Sequence, residues 1–208
     1  MTTTVYLIRH AQSHPTAGIE HTDWPLSERG RAQVDELAGL LMSLGLERIV
    51  SSPFTRCLQT IGPFASRADL RIEVRDGLRE RYLGIDLDGD FPAIWRRSWE
   101  DLDFALPGCE TSRDAQRRFV DTIDRILAES EGKTVGICAH GNVIGLFLHF
   151  LDERNGRETA ERLTNPDVLR FTVDDGDIAW DGEYALPGLK EVATDSADTP
   201  IRREPAGE

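Results

Sequence analysis

The sequence predicts an α/β fold: a three-layer α/β/α sandwich around a mostly parallel central sheet with an antiparallel edge strand. Three observations carry that expectation. Short β-rich apolar runs alternate with longer stretches whose apolar residues recur at helical spacing, the pattern of strand–helix–strand units. The strand-like runs at 5–8 and 134–139 are almost wholly apolar, as strands covered on both faces are. Near the end of the chain, Asp175-Gly176 separates two β-rich segments and signals a tight hairpin, so the last pairing is antiparallel.

The elements come in a regular order. Val5-Tyr6-Leu7-Ile8 is a buried strand that ends in Arg9-His10. A polar loop with His14, Pro15, Gly18, His21 and Pro25 leads to Ser27, which caps a helix. That helix is apolar at Val34, Leu37, Ala38 and Leu41 and stops at Gly45. Arg48-Ile49-Val50 is a second strand. Ser52-Pro53 predicts a cap with proline at the first helical position, and Gly62-Pro63 predicts an interruption of that helix. Residues 71–74 are a third strand.

Residues 80–110 are less regular, with Gly84, Gly89, Pro92, Pro107 and one helical stretch around 95–99. They form an insertion over the site. Thr111 and Asp114 mark the start of a helix with apolar residues at Ala115, Phe119, Ile123 and Leu127. Residues 134–139 are a buried strand ending at His140-Gly141. The next stretch, 143–151, is apolar on nearly all sides and predicts a deeply buried helix. The expected organisation is one catalytic domain over 1–187 and a charged tail over 188–208.

Composition narrows the function. The chain has 208 residues, 24 basic and 37 acidic, for a net charge of −13. A nucleic-acid partner is not expected, because phosphate-backbone binders carry a basic face. No segment approaches the ~20 apolar residues that a spanning helix needs, so no membrane partner is expected. No basic segment precedes an apolar stretch at the N-terminus, so no signal peptide is expected. The three cysteines, Cys57, Cys109 and Cys138, form no CxxC pair, which fits free thiols in a reducing cytoplasm.

The residues just beyond the strands direct attention to one rim of the sheet. In such folds ligands sit at the carboxyl ends of the strands. Here those ends carry Arg9-His10, then Ser51-Ser52-Pro53 with Arg56 on a first helical turn, then His140-Gly141-Asn142 at another helix start. Two arginines, two histidines and two helix N-termini on one rim suit a phosphate group, since guanidinium forks and free N–H groups both favour its oxygens.

A series of segments resembles the ordered motifs of the histidine phosphatase superfamily (phosphoglycerate mutase-like), branch 1. LIRHAQS followed by PLSERGRAQ resembles its opening signature and first helix start. SSPFTRCLQT resembles its second arginine motif, LRERYLG its acid motif and LPGCETSRDAQRR its next helix start. CAHGNVIG resembles its second histidine motif, and Asn165-Pro166-Asp167-Val168 its late asparagine turn. Ala11 stands in place of the signature glycine, Cys109 in place of a second glycine, and the usual Trp-Asn of the loop from His14 to Trp24 is missing.

The resemblance implies the phosphoglycerate mutase-like fold and a metal-independent phosphatase that acts on a small phosphomonoester. It implies that His10 is the nucleophile that becomes phosphohistidine and that Glu80 is the general acid. His140 joins them as a catalytic residue and also binds phosphate, with Arg9, Arg56 and Asn142. Thr16, Arg81, Tyr82, Arg96 and Arg97 are candidates for substrate binding. No cofactor is expected. His14, His21 and Asp23 match no zinc spacing, so no metal site is expected. A homodimer is a base-rate expectation. Two alternatives stand beside the phosphatase: a phosphoglycerate mutase, suggested by Glu80-Arg81 and Trp95-Arg96-Arg97, and a non-catalytic phosphate-binding protein.

Overall fold

The computed structural model of the chain describes residues 1–84 and 90–183. The expected tail at 188–208, and Gly89 of the insertion, lie outside the described residues.

The first strand, β1 (Thr3–Arg9), lies in the interior of a six-stranded sheet. Helix α1 (Glu28–Leu41) leads to β2 (Arg48–Ser51), and α2 (Thr55–Arg67) leads to β3 (Ile72–Val74). The insertion carries α3 (Phe91–Glu100). Then come α4 (Ser112–Ala128), β4 (Thr134–Ala139), α5 (Gly141–Leu151) and α6 (Arg157–Arg162). The hairpin β5 (Asp167–Asp174) and β6 (Asp177–Glu183) closes the described chain. The sheet order is β3-β2-β4-β1-β5-β6. The pairs β3–β2, β2–β4 and β4–β1 are parallel, and β1–β5 and β5–β6 are antiparallel.

Alternation along the strands divides the core into two layers. Val5 and Leu7 face one way with Val135, Ile137, Leu169 and Phe171, and meet α4 and α5. Tyr6 and Ile8 face the other way with Ile49 and Cys138, and meet α1 and α2. The sandwich is therefore three-layered. Helix α5 is buried over most of its length, including Val143, Ile144, Leu146, Phe147 and Leu148. The hairpin turn has positive φ at both Asp175 (48°) and Gly176 (89°), as its tight type requires.

Two local expectations are corrected. Ser52-Pro53 does not cap α2. The helix begins at Thr55 after Phe54, and the Ser52 hydroxyl is used elsewhere. Gly62-Pro63 does not interrupt the helix, which continues through Pro63 to Arg67. An interior proline costs about 3 kcal/mol. Burying Ile61 and Phe64, each at most 1% exposed, contributes roughly 2–3 kcal/mol apiece and offsets that cost. The helical stretch expected at 95–99 is longer, and α6 has no clear sequence signal because it is only six residues long. Among the described residues, no helix is long and apolar enough to cross a membrane.

Candidate active site

Strand register brings the two histidines together. β1 and β4 are parallel neighbours, with Arg9 opposite Ala139. The next residue of each strand is a histidine, and the backbone N–H of His10 still reaches the Ala139 carbonyl at 3.1 Å. The rings of His10 and His140 lie edge to face, 5.1 Å between centroids. On the other side of β4, Ser51 pairs with Cys138, which places Ser52 beside the same strand end. The Ser52 hydroxyl meets His140 Nε2 at 2.7 Å. Three neighbouring strands of the sheet thus end at one polar rim.

The proton on His10 can be located from its partners. Arg56 Nε is always a donor, and it donates to His10 Nε2 at 3.2 Å. Nε2 is therefore the unprotonated nitrogen, its lone pair facing Arg56, and the ring proton sits on Nδ1. There it donates to the Ala11 carbonyl at 2.7 Å. Burial, reinforced by the Arg56 and Arg9 guanidinium groups, holds His10 well below its ordinary value of 6.5 against an opposing pull from that carbonyl. His140, 0% exposed, is held down in the same way by burial first and then by Arg56, His10 and Arg9. Both rings are neutral at neutral pH. Ala11 does not have a positive φ, so alanine replaces the signature glycine without backbone strain.

The arginines are placed by backbone contacts. Arg9 Nη1 donates to the Leu163 carbonyl, and its guanidinium lies flat against Gly141. A Cβ at Gly141 would come within 2.8 Å of Arg9 Cζ and Nε, so only glycine fits there with Arg9 in place. Burial lowers Arg9 to about 10, which leaves it charged at neutral pH. Arg56 is 6% exposed, and its Nη1 donates to the His21 carbonyl at 2.7 Å. Its Cζ sits 4.8 Å from the centre of the Phe54 ring, which also packs edge-on against His140 at 4.9 Å.

Glu80 stands at the start of α5. Its Oε2 accepts from the Asn142 N–H at 3.0 Å, and its Oε1 from the Val143 and Arg81 N–H groups at 3.2 and 2.8 Å. Its charge is felt at both Arg9 and Arg56. The buried Nε of Arg9 and the buried amide nitrogen and oxygen of Asn142 have no hydrogen-bond partner among the described residues. Arg9, His10, Arg56, Glu80, His140 and Asn142 therefore share one polar region that holds two guanidinium groups, two neutral imidazoles, a carboxylate and a helix N-terminus.

The other candidates lie differently. Arg81, 4% exposed, is turned inward and donates to the carbonyls of Glu110 and Phe104 and to Ser112 Oγ. It ties the insertion to α4, and its side-chain donors are engaged inside the protein. Arg97 lies over the Phe104 ring at 4.1 Å, and Arg96 is exposed. Tyr82, 43% exposed, stacks on His21 at 4.9 Å, next to the carbonyl that Arg56 uses. The Thr16 hydroxyl is engaged by the His14 carbonyl at 2.9 Å. Among the described residues, no group of three or more His, Cys, Asp or Glu side chains is placed to hold a metal.

Several supporting residues lie inside the quoted segments but carry no role assigned from the sequence. Thr60 Oγ1 accepts from the Ala11 N–H at 3.0 Å and donates to the Arg56 carbonyl at 2.6 Å, linking the histidine loop to α2. Asn165 donates to the His10 carbonyl at 2.8 Å and accepts on its own carbonyl from Gln33 at 2.7 Å. The one sequence signal for Thr60 and Gln33 is polarity within otherwise apolar helix faces.

The family model for the histidine phosphatase superfamily (branch 1) matches residues 5–182. The chain belongs to this superfamily. Among its relatives, a probable phosphatase of Schizosaccharomyces pombe is 30% identical over 157 residues, covering 72% of this chain and 74% of the relative. A 2,3-bisphosphoglycerate-dependent phosphoglycerate mutase 2 of Gloeobacter violaceus is 30% identical over 166 residues, covering 70% and 74%. The crystal structure of a phosphoglycerate mutase from Bacillus anthracis superposes with a TM-score of 0.76 at 22% identity, covering 92% and 96%, and establishes the phosphoglycerate mutase-like fold. Some relatives are much longer: the chain spans 32% of the transcription factor tau 55 kDa subunit of Saccharomyces cerevisiae. The relatives thus include a probable phosphatase and a phosphoglycerate mutase.

Proposed function

We propose that this protein is a phosphatase that hydrolyses a small phosphomonoester through a phosphohistidine at His10, with no metal in the reaction. The observation that carries the reading is the lone pair on His10 Nε2, fixed by the Nδ1 proton on the Ala11 carbonyl and held between buried cations. A neutral, oriented imidazole among guanidinium groups is prepared to attack phosphorus while those groups hold the equatorial oxygens.

In the first step Nε2 forms the N–P bond as the bond from phosphorus to the ester oxygen breaks. Glu80 enters this step protonated and gives that proton to the departing alkoxide. Arg9, Arg56, His140 and Asn142 bind the transferring group. In the second step Glu80 takes a proton from water, the water oxygen attacks phosphorus, the N–P bond breaks, and phosphate leaves with His10 neutral again.

Water is favoured over a second phosphoglycerate position as acceptor. Of the three arginines that suggest a mutase, Arg81 is consumed inside the protein and Arg97 is packed on Phe104. Arg96 and Arg97 both stand at exposed positions, weak clamps for a substrate carboxylate. The test is phosphate release from a panel of phosphomonoesters with chelator present, run beside a coupled mutase assay. Phosphate release that exceeds isomerisation, survives chelator and vanishes in His10→Ala supports the reading. Isomerisation that outruns phosphate release replaces it with the mutase. Tight phosphate binding without either reaction points to a non-catalytic role.

A further inference from the structure

The segment that carries Glu80 is gripped from behind by one residue of α4. Arg118 Nη1 donates to the Gly77 carbonyl at 2.7 Å and to the Arg79 carbonyl at 3.0 Å, the latter immediately before Glu80. The same guanidinium is held on its other edge by a paired bond to Glu110, from Nε at 2.8 Å and Nη2 at 2.7 Å. Both partners of that ion pair are largely buried, 14% and 18% exposed. A planar fork bonded along two edges has one orientation, so the two carbonyls are fixed in space relative to α4.

The contact surface beneath the segment is equally restrictive. A Cβ at Gly77 would lie 1.8 Å from Thr122 Oγ1, one helical turn beyond Arg118, so the turn at 76–78 rests directly on α4. On the opposite side the Glu80 carboxylate is anchored to the N–H groups of Asn142 and Val143. Glu80 thus spans two helices, its backbone fixed by α4 and its carboxylate by α5.

We propose that Arg118, held by Glu110, is the positioning residue of the general acid. It touches no reacting atom and acts through the Gly77 and Arg79 carbonyls. This rests on the reading of Glu80 as acid. An acid must sit within hydrogen-bond reach of the leaving oxygen, and a shift of about 1 Å is enough to remove most of its contribution. Loss of Arg118 should therefore matter in proportion to how much the leaving group needs a proton.

The test compares kcat/KM, which covers the steps through departure of the leaving group, for an alkyl phosphate and for 4-nitrophenyl phosphate. The alkoxide needs a proton to depart and 4-nitrophenolate does not. Arg118→Met should lower kcat/KM for the alkyl ester by about 30-fold or more and for the nitrophenyl ester by less than about 3-fold, within the usual span of acid catalysis. Glu80→Gln should show the same asymmetry. Arg118→Lys keeps the charge without the fork and should fall between wild type and Arg118→Met. Glu110→Gln, which leaves Arg118 in place, serves if Arg118→Met fails to fold by circular dichroism.

An equal loss on both esters in the folded variants, or no loss on either, overturns the positioning role while leaving Glu80 as acid. An equal loss on both esters in Glu80→Gln overturns the acid reading itself, and the proposal with it.

Discussion

Arg56 donates from Nε to Nε2 of His10 at 3.2 Å. This bond decides the state of the proposed nucleophile, because an arginine cannot accept and the imidazole nitrogen facing it must carry the lone pair. The same guanidinium is fixed through Nη1 by the His21 carbonyl. The residue that is to bind the phosphoryl group therefore also keeps the attacking nitrogen free of its proton.

His10 and His140 both titrate well below 6.5 in the folded protein, through burial and their guanidinium neighbours. The acid limb of kcat/KM should therefore lie below pH 6.5. The same depression makes the unfolded chain bind protons that the folded chain refuses. The contribution of these histidines to stability is complete above pH 6.5 and is lost as pH falls from there toward the folded values. Thermal unfolding between pH 8 and pH 5 should show Tm falling at the acidic end, less so in His10→Asn. A Tm independent of pH in that range contradicts the assignment.

Gly141→Ala should separate phosphate binding from folding. The new Cβ would press on the Arg9 guanidinium, a side-chain end that can swing away, rather than on backbone. The fold should survive with Tm lowered by only a few degrees, while displacement of Arg9 weakens binding of phosphate or vanadate by roughly 10-fold or more, as loss of a charged hydrogen bond does. Calorimetric titration of both proteins checks this.

Arg81→Met should behave in the opposite way. Its guanidinium is buried and bonded to two carbonyls and Ser112 Oγ. Removing it leaves those acceptors unsatisfied and should cost about 2–4 kcal/mol of stability. The KM of the folded variant should change by less than about 3-fold. Urea unfolding beside steady-state kinetics distinguishes this from a substrate contact, which would raise KM with stability unchanged.

Ser52→Ala removes the hydroxyl that orients His140 at 2.7 Å. Loss of one buried hydrogen bond of about 1–2 kcal/mol should lower kcat/KM by roughly 10-fold and leave the acid limb of the pH profile in place. A variant with unchanged kinetics would show that Ser52 does not position His140.

Much of this arrangement is legible in the amino-acid sequence. Arg9-His10 and His140-Gly141 stand out because each terminates an apolar strand, and the hairpin at Asp175-Gly176 is written in turn chemistry. That the two histidines lie side by side is not legible from local pattern, since it depends on β4 pairing with β1 across a long stretch of intervening chain. The fate of individual arginines is hidden for a related reason. Arg81 and Arg97 look alike in sequence, and only tertiary packing turns the first into the protein and the second onto Phe104. Pro63 in the middle of α2 shows a local rule overridden by burial of the face around it.

A covalent histidine intermediate is the centre of the proposed chemistry, and the stereochemical course at phosphorus tests it without requiring that the intermediate accumulate. A phosphorothioate monoester made chiral at phosphorus with two oxygen isotopes is hydrolysed in water of the third, and the configuration of the released thiophosphate is determined. Two in-line displacements, first by His10 and then by water, predict net retention. Net inversion would mean that water attacks the ester directly, and would contradict the phosphohistidine intermediate.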